Sequence, residues 1–289
     1  MNDPDAYPLD WRARAKLRRR LRRSLIGRGA GKLADLALDA RQRALGIGRE
    51  LDELAAEGPR REVLVLSIYG RDAKQLVAAL RPIRESVHNV RVVLGSMGPA
   101  ASELADETAL SELRGGKFAN LNRVAETAGP LAADWVLILD DDVDVDRHFL
   151  DRMLVVAERY RLTLAQPALS RASFGWWSVN RRRPDLVRET RFVEIGPAIL
   201  MSRETFKALT PFPEEGMGGG LCLHWAALAV REGWRLGVID AVPVRHESRR
   251  TAAAVDVSGA RAAAERLLAE REHVTYAEAE TVLARHSRI

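Results

Sequence analysis

Trp135-Val-Leu-Ile-Leu-Asp-Asp-Asp-Val-Asp-Val-Asp146 (WVLILDDDVDVD) sets five carboxylates in seven positions directly behind a short, unbroken apolar run. Trp135 to Leu139 fits a strand buried on both faces of a sheet, where alternation is not required. Adjacent carboxylates repel one another, so a fold that keeps Asp140, Asp141 and Asp142 together implies a cation to offset them. Oxygen-rich ligands favour Mg²⁺ or Mn²⁺, which leave room for phosphate oxygens in their coordination sphere. The alternative is a solvated acidic loop at the N-terminus of the helix that follows.

The segments around this run alternate between strand and helix. Strands are predicted over Glu62–Ser67, Asn89–Leu94, Asp134–Asp140, Thr163–Ala168, Arg191–Ile195, Ala198–Met201 and Trp234–Asp240. Helices are predicted over Asp72–Ser86, in two stretches across 101–128, over Arg147–Tyr160, from Ser202 to Leu209 and over Leu221–Glu232. This order implies an α/β domain with a mainly parallel, mixed sheet flanked by helices. Ligands of such sheets gather at the carboxyl ends of the strands, where the acidic run lies. Two helices broken near Gly27, Gly29 and Gly31 precede the domain, and Gly58-Pro59 ends the second. Behind it the chain is expected to be helical, with a capping box at Thr275 and Glu278. The divisions are therefore 1–58, 59–248 and 249–289.

The 289 residues are 47% hydrophobic, enough for one sizeable core, and no apolar run is long enough to span a bilayer. The one cysteine, Cys222, excludes an internal disulfide and a cysteine-cluster metal site, and suits a reducing cytoplasm. The net charge of +5 is unevenly spread. Residues 11–28 hold nine Arg and Lys and no acid, so the rest of the chain carries about −4. A broad basic face interleaved with aromatics is missing, so no nucleic-acid partner is expected. The basic arm instead suggests peripheral contact with an anionic membrane, at its inner face, or packing against residues 31–57.

An EF-hand does not fit, because Val145 falls at the glycine position and Asp151 at the final glutamate. A haloacid-dehalogenase type of phosphatase also carries D-x-D after a strand, but near its N-terminus. Four blocks in order resemble something else. Gly116-Lys117-Phe-Ala-Asn-Leu-Asn122, the Trp135–Asp142 run, Glu194-Ile-Gly-Pro-Ala-Ile-Leu-Met-Ser-Arg-Glu204 and Gly233–His246 together resemble the family-two type of GT-A glycosyltransferase. The likeness covers roughly residues 62–248.

That resemblance implies a GT-A (Rossmann-like) fold and metal-dependent transfer of a sugar from a nucleotide-diphosphate donor, UDP before GDP, to an acceptor that the sequence does not name. It implies Mn²⁺ or Mg²⁺ held by Asp140, Asp142 and His246, and donor contacts from Ser67, Lys117, Asn122, Asp140, Asp141 and Gly219. The base is expected at Glu215, then Glu214, in the Pro211–Gly220 loop, because the family's acidic position falls near Leu221 or Cys222 here. Glu194 is the next carboxylate to consider. Trp176, Trp177 and Arg181 suggest an acceptor side, with rings for sugars and a guanidinium for phosphate. A non-catalytic nucleotide-sugar scaffold and the phosphatase are the competing classes.

Overall fold

The computed structural model describes residues 25–173, 175, 177–214, 218–246 and 257–289. Helices α1 (Leu25–Ala44) and α2 (Ile47–Glu57) lead into β1 (Glu62–Tyr69), α3 (Lys74–Arg84), β2 (Asn89–Ser96), a 3₁₀ turn and β3 (Thr108–Leu110). Then come α4 (Lys117–Thr127), β4 (Trp135–Leu139), β5 (Val143–Asp144), α5 (Phe149–Arg159), β6 (Leu164–Leu169), β7 (Val187–Thr190) and β8 (Ala198–Ser202). The chain continues through α6 (Arg203–Leu209), α7 (Leu221–Glu232), β9 (Leu236–His246), α8 (Val257–Glu270), α9 (Tyr276–Ala279) and β10 (Val282–His286).

The strands lie in the order β10-β7-β9-β6-β8-β4-β1-β2-β3, with β5 paired off this path to β9. β3, β2, β1 and β4 are parallel, and β6 runs parallel to β9. β8 runs against both β4 and β6, and β7 against β9 and β10. Every strand on the path except β8 and β7 therefore points one way. The sheet is mixed and mainly parallel.

Successive residues of β1 feed opposite faces, as a pleat requires. Val63 and Val65 join α2, α3 and α5 in one apolar cluster; Leu64 and Leu66 join α4, α6 and α7 in the other. All five residues of β4 are buried, which accounts for its continuous apolar run. β1 has β2 on one side and β4 on the other, so the strand order diverges at β1. A crevice opens at such a point beyond the carboxyl ends, and the acidic run lies there.

Four expectations are corrected. The first helix runs unbroken through Gly27, Gly29 and Gly31, and the break falls at Gly46, which takes a left-handed φ of 68°. Gly31 serves packing instead: a Cβ there would stand 3.0 Å from the Arg171 carbonyl oxygen. The strand expected at Arg191–Ile195 is β7 at Val187–Thr190, hidden by its charged residues; Arg188 is fully buried because Asp240 faces it. The first of the two helical stretches expected across 101–128 is a 3₁₀ turn, and β3 follows it. The C-terminal segment keeps its Thr275–Glu278 capping box but ends in β10, which extends the main sheet. Arg18, Arg19, Arg20, Arg22 and Arg23 of the basic arm lie outside the described residues. Among the described residues no helix is long and apolar enough to cross a membrane.

Candidate active site

The acidic run leaves the carboxyl end of β4 and divides its three carboxylates among three partners. Asp140 anchors its backbone N–H on the Pro197 carbonyl at 2.8 Å. Its Oδ1 accepts from Lys117 Nζ at 2.5 Å, and the same ammonium donates to the Ile195 carbonyl at 3.1 Å. Lys117 opens α4 behind Gly116, so the helix start aims it at the strand end. Asp141 turns the other way, its Oδ2 accepting from the Gly70 N–H at 2.8 Å just past β1. Burial pushes the Asp141 carboxyl up; the Gly70 bond opposes this, and the charges of Asp142 and Asp140 add to it.

Asp142 meets His246. β5 pairs with the last residues of β9, setting Val143 opposite His246. His246 Nε2 then stands 3.1 Å from Asp142 Oδ1. Burial alone would lower the imidazole pKa, but the Asp142 hydrogen bond and the charges of Asp142, Asp140 and Glu194 outweigh it and raise it. One ligand atom each from Asp140, Asp142 and His246 lies within 4.8 Å of the others. Two carboxylate oxygens and an imidazole nitrogen at that spacing could hold a divalent cation with positions left for other oxygens. Gly196 keeps the approach open, since a Cβ there would fall 2.7 Å from Asp140 Oδ2.

A second polar group lies beside these residues. Glu194 Oε2 accepts from Asn180 Nδ2 at 2.9 Å, and its backbone N–H donates to Gln166 Oε1. Gln166 and Asn180 are fully buried, yet Gln166 Nε2 and Asn180 Oδ1 have no partner. Each amide is oriented by its bond to Glu194, so the unpartnered atoms are the ones left over. Buried orphans of this kind point to a ligand or an ordered water. Burial pushes the Glu194 carboxyl up to about 7, against the Asn180 bond and the charges of His246 and Arg181, with Asp140 adding to the rise. Cys222, in the first turn of α7, is buried too; burial and the Glu194 charge both push its thiol up, so it holds no charge at neutral pH.

The remaining expected site residues are arranged differently. Asn122 clamps the loop after α6: its Nδ2 donates to the Phe212 carbonyl at 2.8 Å and to Glu214 Oε1 at 3.2 Å, and its Oδ1 accepts from the Phe212 N–H. Both ends of its amide are bonded within the protein. Ser67 is fully buried within β1, its hydroxyl without a partner. Gly219 is exposed just before α7, and Glu214 is exposed with it. Glu215 and Trp176 lie outside the described residues. Trp177 and Arg181, expected on an acceptor side, both make contacts within the protein. Trp177 stacks on Tyr276 at 5.0 Å and packs on Phe192 at 4.4 Å, so its ring is engaged with the core. Arg181 is 6% exposed and donates to the carbonyls of Ser170, Ser173 and Gly175, tying that loop together.

No protein-family model matches this chain. No curated protein matches it either. Among solved structures it is similar to GalNAc-T7 with UDP, GalNAc and Mn²⁺, at 13% identity and a TM-score of 0.49 over 66% of this chain and 44% of that one. It is also similar to residues 1–349 of S. aureus TarS, at 13% identity and 0.46 over 65% and 60%. A longer S. aureus TarS structure matches at 12% and 0.47 over 64% and 36%. The chain thus spans less than two thirds of each.

The sequence reading missed Gln166, Asn180 and Ser173, whose Oγ accepts from the His246 N–H at 3.0 Å. Gln166 left a trace: it is a polar residue inside the apolar Leu164–Leu169 strand. Asn180 and Ser173 left none, because loops carry them to the site.

Proposed function

We propose that this protein is a glycosyltransferase with a GT-A type of fold, moving a sugar from a nucleotide-diphosphate donor, a UDP-sugar before a GDP-sugar, to an acceptor hydroxyl. The observation that carries the reading is the convergence of Asp140, Asp142 and His246 at the end of β4, with the Lys117 ammonium bound to the same Asp140. The three would hold Mn²⁺ or Mg²⁺, which supplies Lewis acidity to the diphosphate as it leaves. Lys117 contributes a fixed positive charge beside that position. Gly70 fixes Asp141 in the crevice near β1, on the side where a nucleotide would lie.

Sugar transfer with inversion needs a base to take the acceptor's proton. Glu214 is exposed and bonded to Asn122, and Glu215 lies outside the described residues. Outside the Asp140–Asp142–His246 group itself, Glu194 is a described carboxylate coupled to both His246 and Asp140, and the two amides that hold it each leave one atom without a partner. A value near neutrality suits a group that must accept a proton and release it again. We therefore assign the base to Glu194, ahead of Glu215 and Glu214.

Thermal unfolding with Mn²⁺ and UDP or GDP tests the donor site. A hundredfold excess over the dissociation constant is expected to stabilise the fold by about 2.7 kcal/mol. Asp142→Ala should abolish that gain while melting normally without ligand. Nucleotide release from a panel of nucleotide sugars then reads turnover. Phosphate release from simple esters, with no stabilisation by either nucleotide, would favour a phosphatase instead.

A further inference from the structure

α1 is built inside out. Its inner face is polar and fastened to the body. Asp35 accepts from the backbone N–H groups of Arg171 and Ala172 at 2.9 and 3.1 Å. Asp39 and Gln42 accept from the two ends of the buried Arg182 guanidinium at 2.6 and 2.9 Å, and Gln42 Nε2 donates to the Asp240 carbonyl. Both acids of the helix are thereby turned inward.

The outer face is apolar. At roughly 100° per residue, Leu36, Ala40, Leu33, Ala44 and Ala37 fall in one continuous arc. All five are exposed, Leu33 at 69% and Leu36 at 59%. Lys32 and Arg43 border this arc on one side and Arg41 on the other, none of them in an ion pair among the described residues. Ordinary surface helices bury the apolar stripe and expose the charges. A stripe of leucine and alanine rimmed by lysine and arginine matches a lipid surface, with apolar side chains in the acyl boundary and long cationic chains reaching the headgroups.

We infer that the outward face of α1 docks on an anionic lipid surface. The charges select this occupant. Residues 11–28, which run into the first turn of the helix, hold nine Arg and Lys and no acid, so the sequence carries the basic rim on into a basic arm. A second copy seated on the face would bring like charges together, whereas an acidic bilayer attracts them at about 1 kcal/mol per residue near its surface. The same helix holds the backbone N–H groups of Arg171 and Ala172, and the next residue, Ser173, accepts from the His246 N–H, so the docked face lies one loop from the proposed metal site. This inference does not depend on the reaction.

The test is sedimentation of the full chain with vesicles of phosphatidylcholine alone or mixed with phosphatidylglycerol, at low and high salt. Binding is expected to the acidic vesicles only, and to weaken as salt rises. Leu33→Gln/Leu36→Gln should bind at least about tenfold more weakly with unchanged circular dichroism and melting, since two side chains lose their apolar burial. Lys32→Gln/Arg43→Gln, which leaves the stripe intact, should bind more weakly and lose part of the salt dependence. Three results would overturn the idea. One is wild-type protein that ignores acidic vesicles. Another is a leucine pair variant that binds as well as wild type, which would leave the arm's charge as the sole cause. The third is a wild-type dimer that the leucine substitutions convert to monomer with vesicle binding unchanged.

Discussion

His246 Nε2 stands 3.1 Å from Asp142 Oδ1, so a proton held between them must leave before both can ligate a cation. The raised imidazole pKa fixes the direction: cation affinity should climb with pH beyond the usual 6.5 of histidine. The metal-free protein should behave in the opposite sense. A histidine raised by folding contributes stability that is full below its unfolded value and lost as pH rises through the folded one. Glu194, raised from 4.5 to about 7, acts in the same direction over a lower window. Melting temperature without metal should therefore fall as pH rises from about 4.5 through about 7, and on beyond the usual 6.5 of histidine, at roughly 2–4 °C per kcal/mol for a chain of this size. Glu194→Gln should flatten the lower part and His246→Gln the upper part; a wild-type profile rising over that range would refute both assignments. Glu194→Gln has a kinetic counterpart. Turnover should drop about 10²–10⁴-fold while Mn²⁺ and nucleotide still stabilise the fold, and the acid limb of the rate profile should vanish. Stabilisation kept together with full turnover would return the base to Glu215 or Glu214. Glu214→Gln should leave both properties near wild type.

Among the elements, those with a strong apolar signal were legible from sequence and those held by distant polar partners were not. β4 was readable because five consecutive buried residues leave a mark that no loop imitates. α7 over Leu221–Glu232 was readable too, with left-handed Gly220 and Gly233 at its two ends. β7 was not readable, since Arg188 sits in its middle and is tolerable only beside Asp240, 52 residues away in sequence. Asn122 is the clearest case of a motif position with another task. It grips both backbone groups of Phe212, ninety residues on, and so sets the start of the loop before α7. Asn122→Ala should cost about 1–3 kcal/mol, because the Phe212 N–H and carbonyl would be left buried without partners. Gly218 closes the same loop with a φ of 80°, and a Cβ there would lie 2.3 Å from the Phe118 ring. Gly218→Ala should therefore displace the loop and weaken turnover more than nucleotide binding. Equal losses of both would instead tie the loop to the donor.

At the scale of the whole molecule, the sequence reads as a core with two appendages, and the polar ties across the body explain why their attachment was hidden. The Arg188–Asp240 pair is the centre of these ties. Arg188 donates twice to Asp240 and also to the carbonyls of Val179 and Arg181, and Asp240 takes the Arg183 N–H. The Asp240 carbonyl accepts from Gln42, which joins α1 to β9. At the other end, β10 zips onto β7, His286 Nε2 pairs with Glu189 at 2.8 Å, and Tyr160 donates to the Arg288 carbonyl. None of these contacts has a periodic signature, because all but the Arg188 bonds to Val179 and Arg181 join residues roughly fifty to two hundred apart. They imply that α1, the central sheet and β10 unfold together. Urea denaturation should give one transition, coincident by far-ultraviolet circular dichroism and by tryptophan fluorescence. Asp240→Asn leaves the Arg188 charge buried against a neutral partner, and should lower the stability of that single transition by about 3–5 kcal/mol without splitting it. Two separated transitions in the wild-type protein, or a split one in the variant, would mean that the terminal segments fold as independent units and that the Arg188–Asp240 pair serves only its local corner of the sheet.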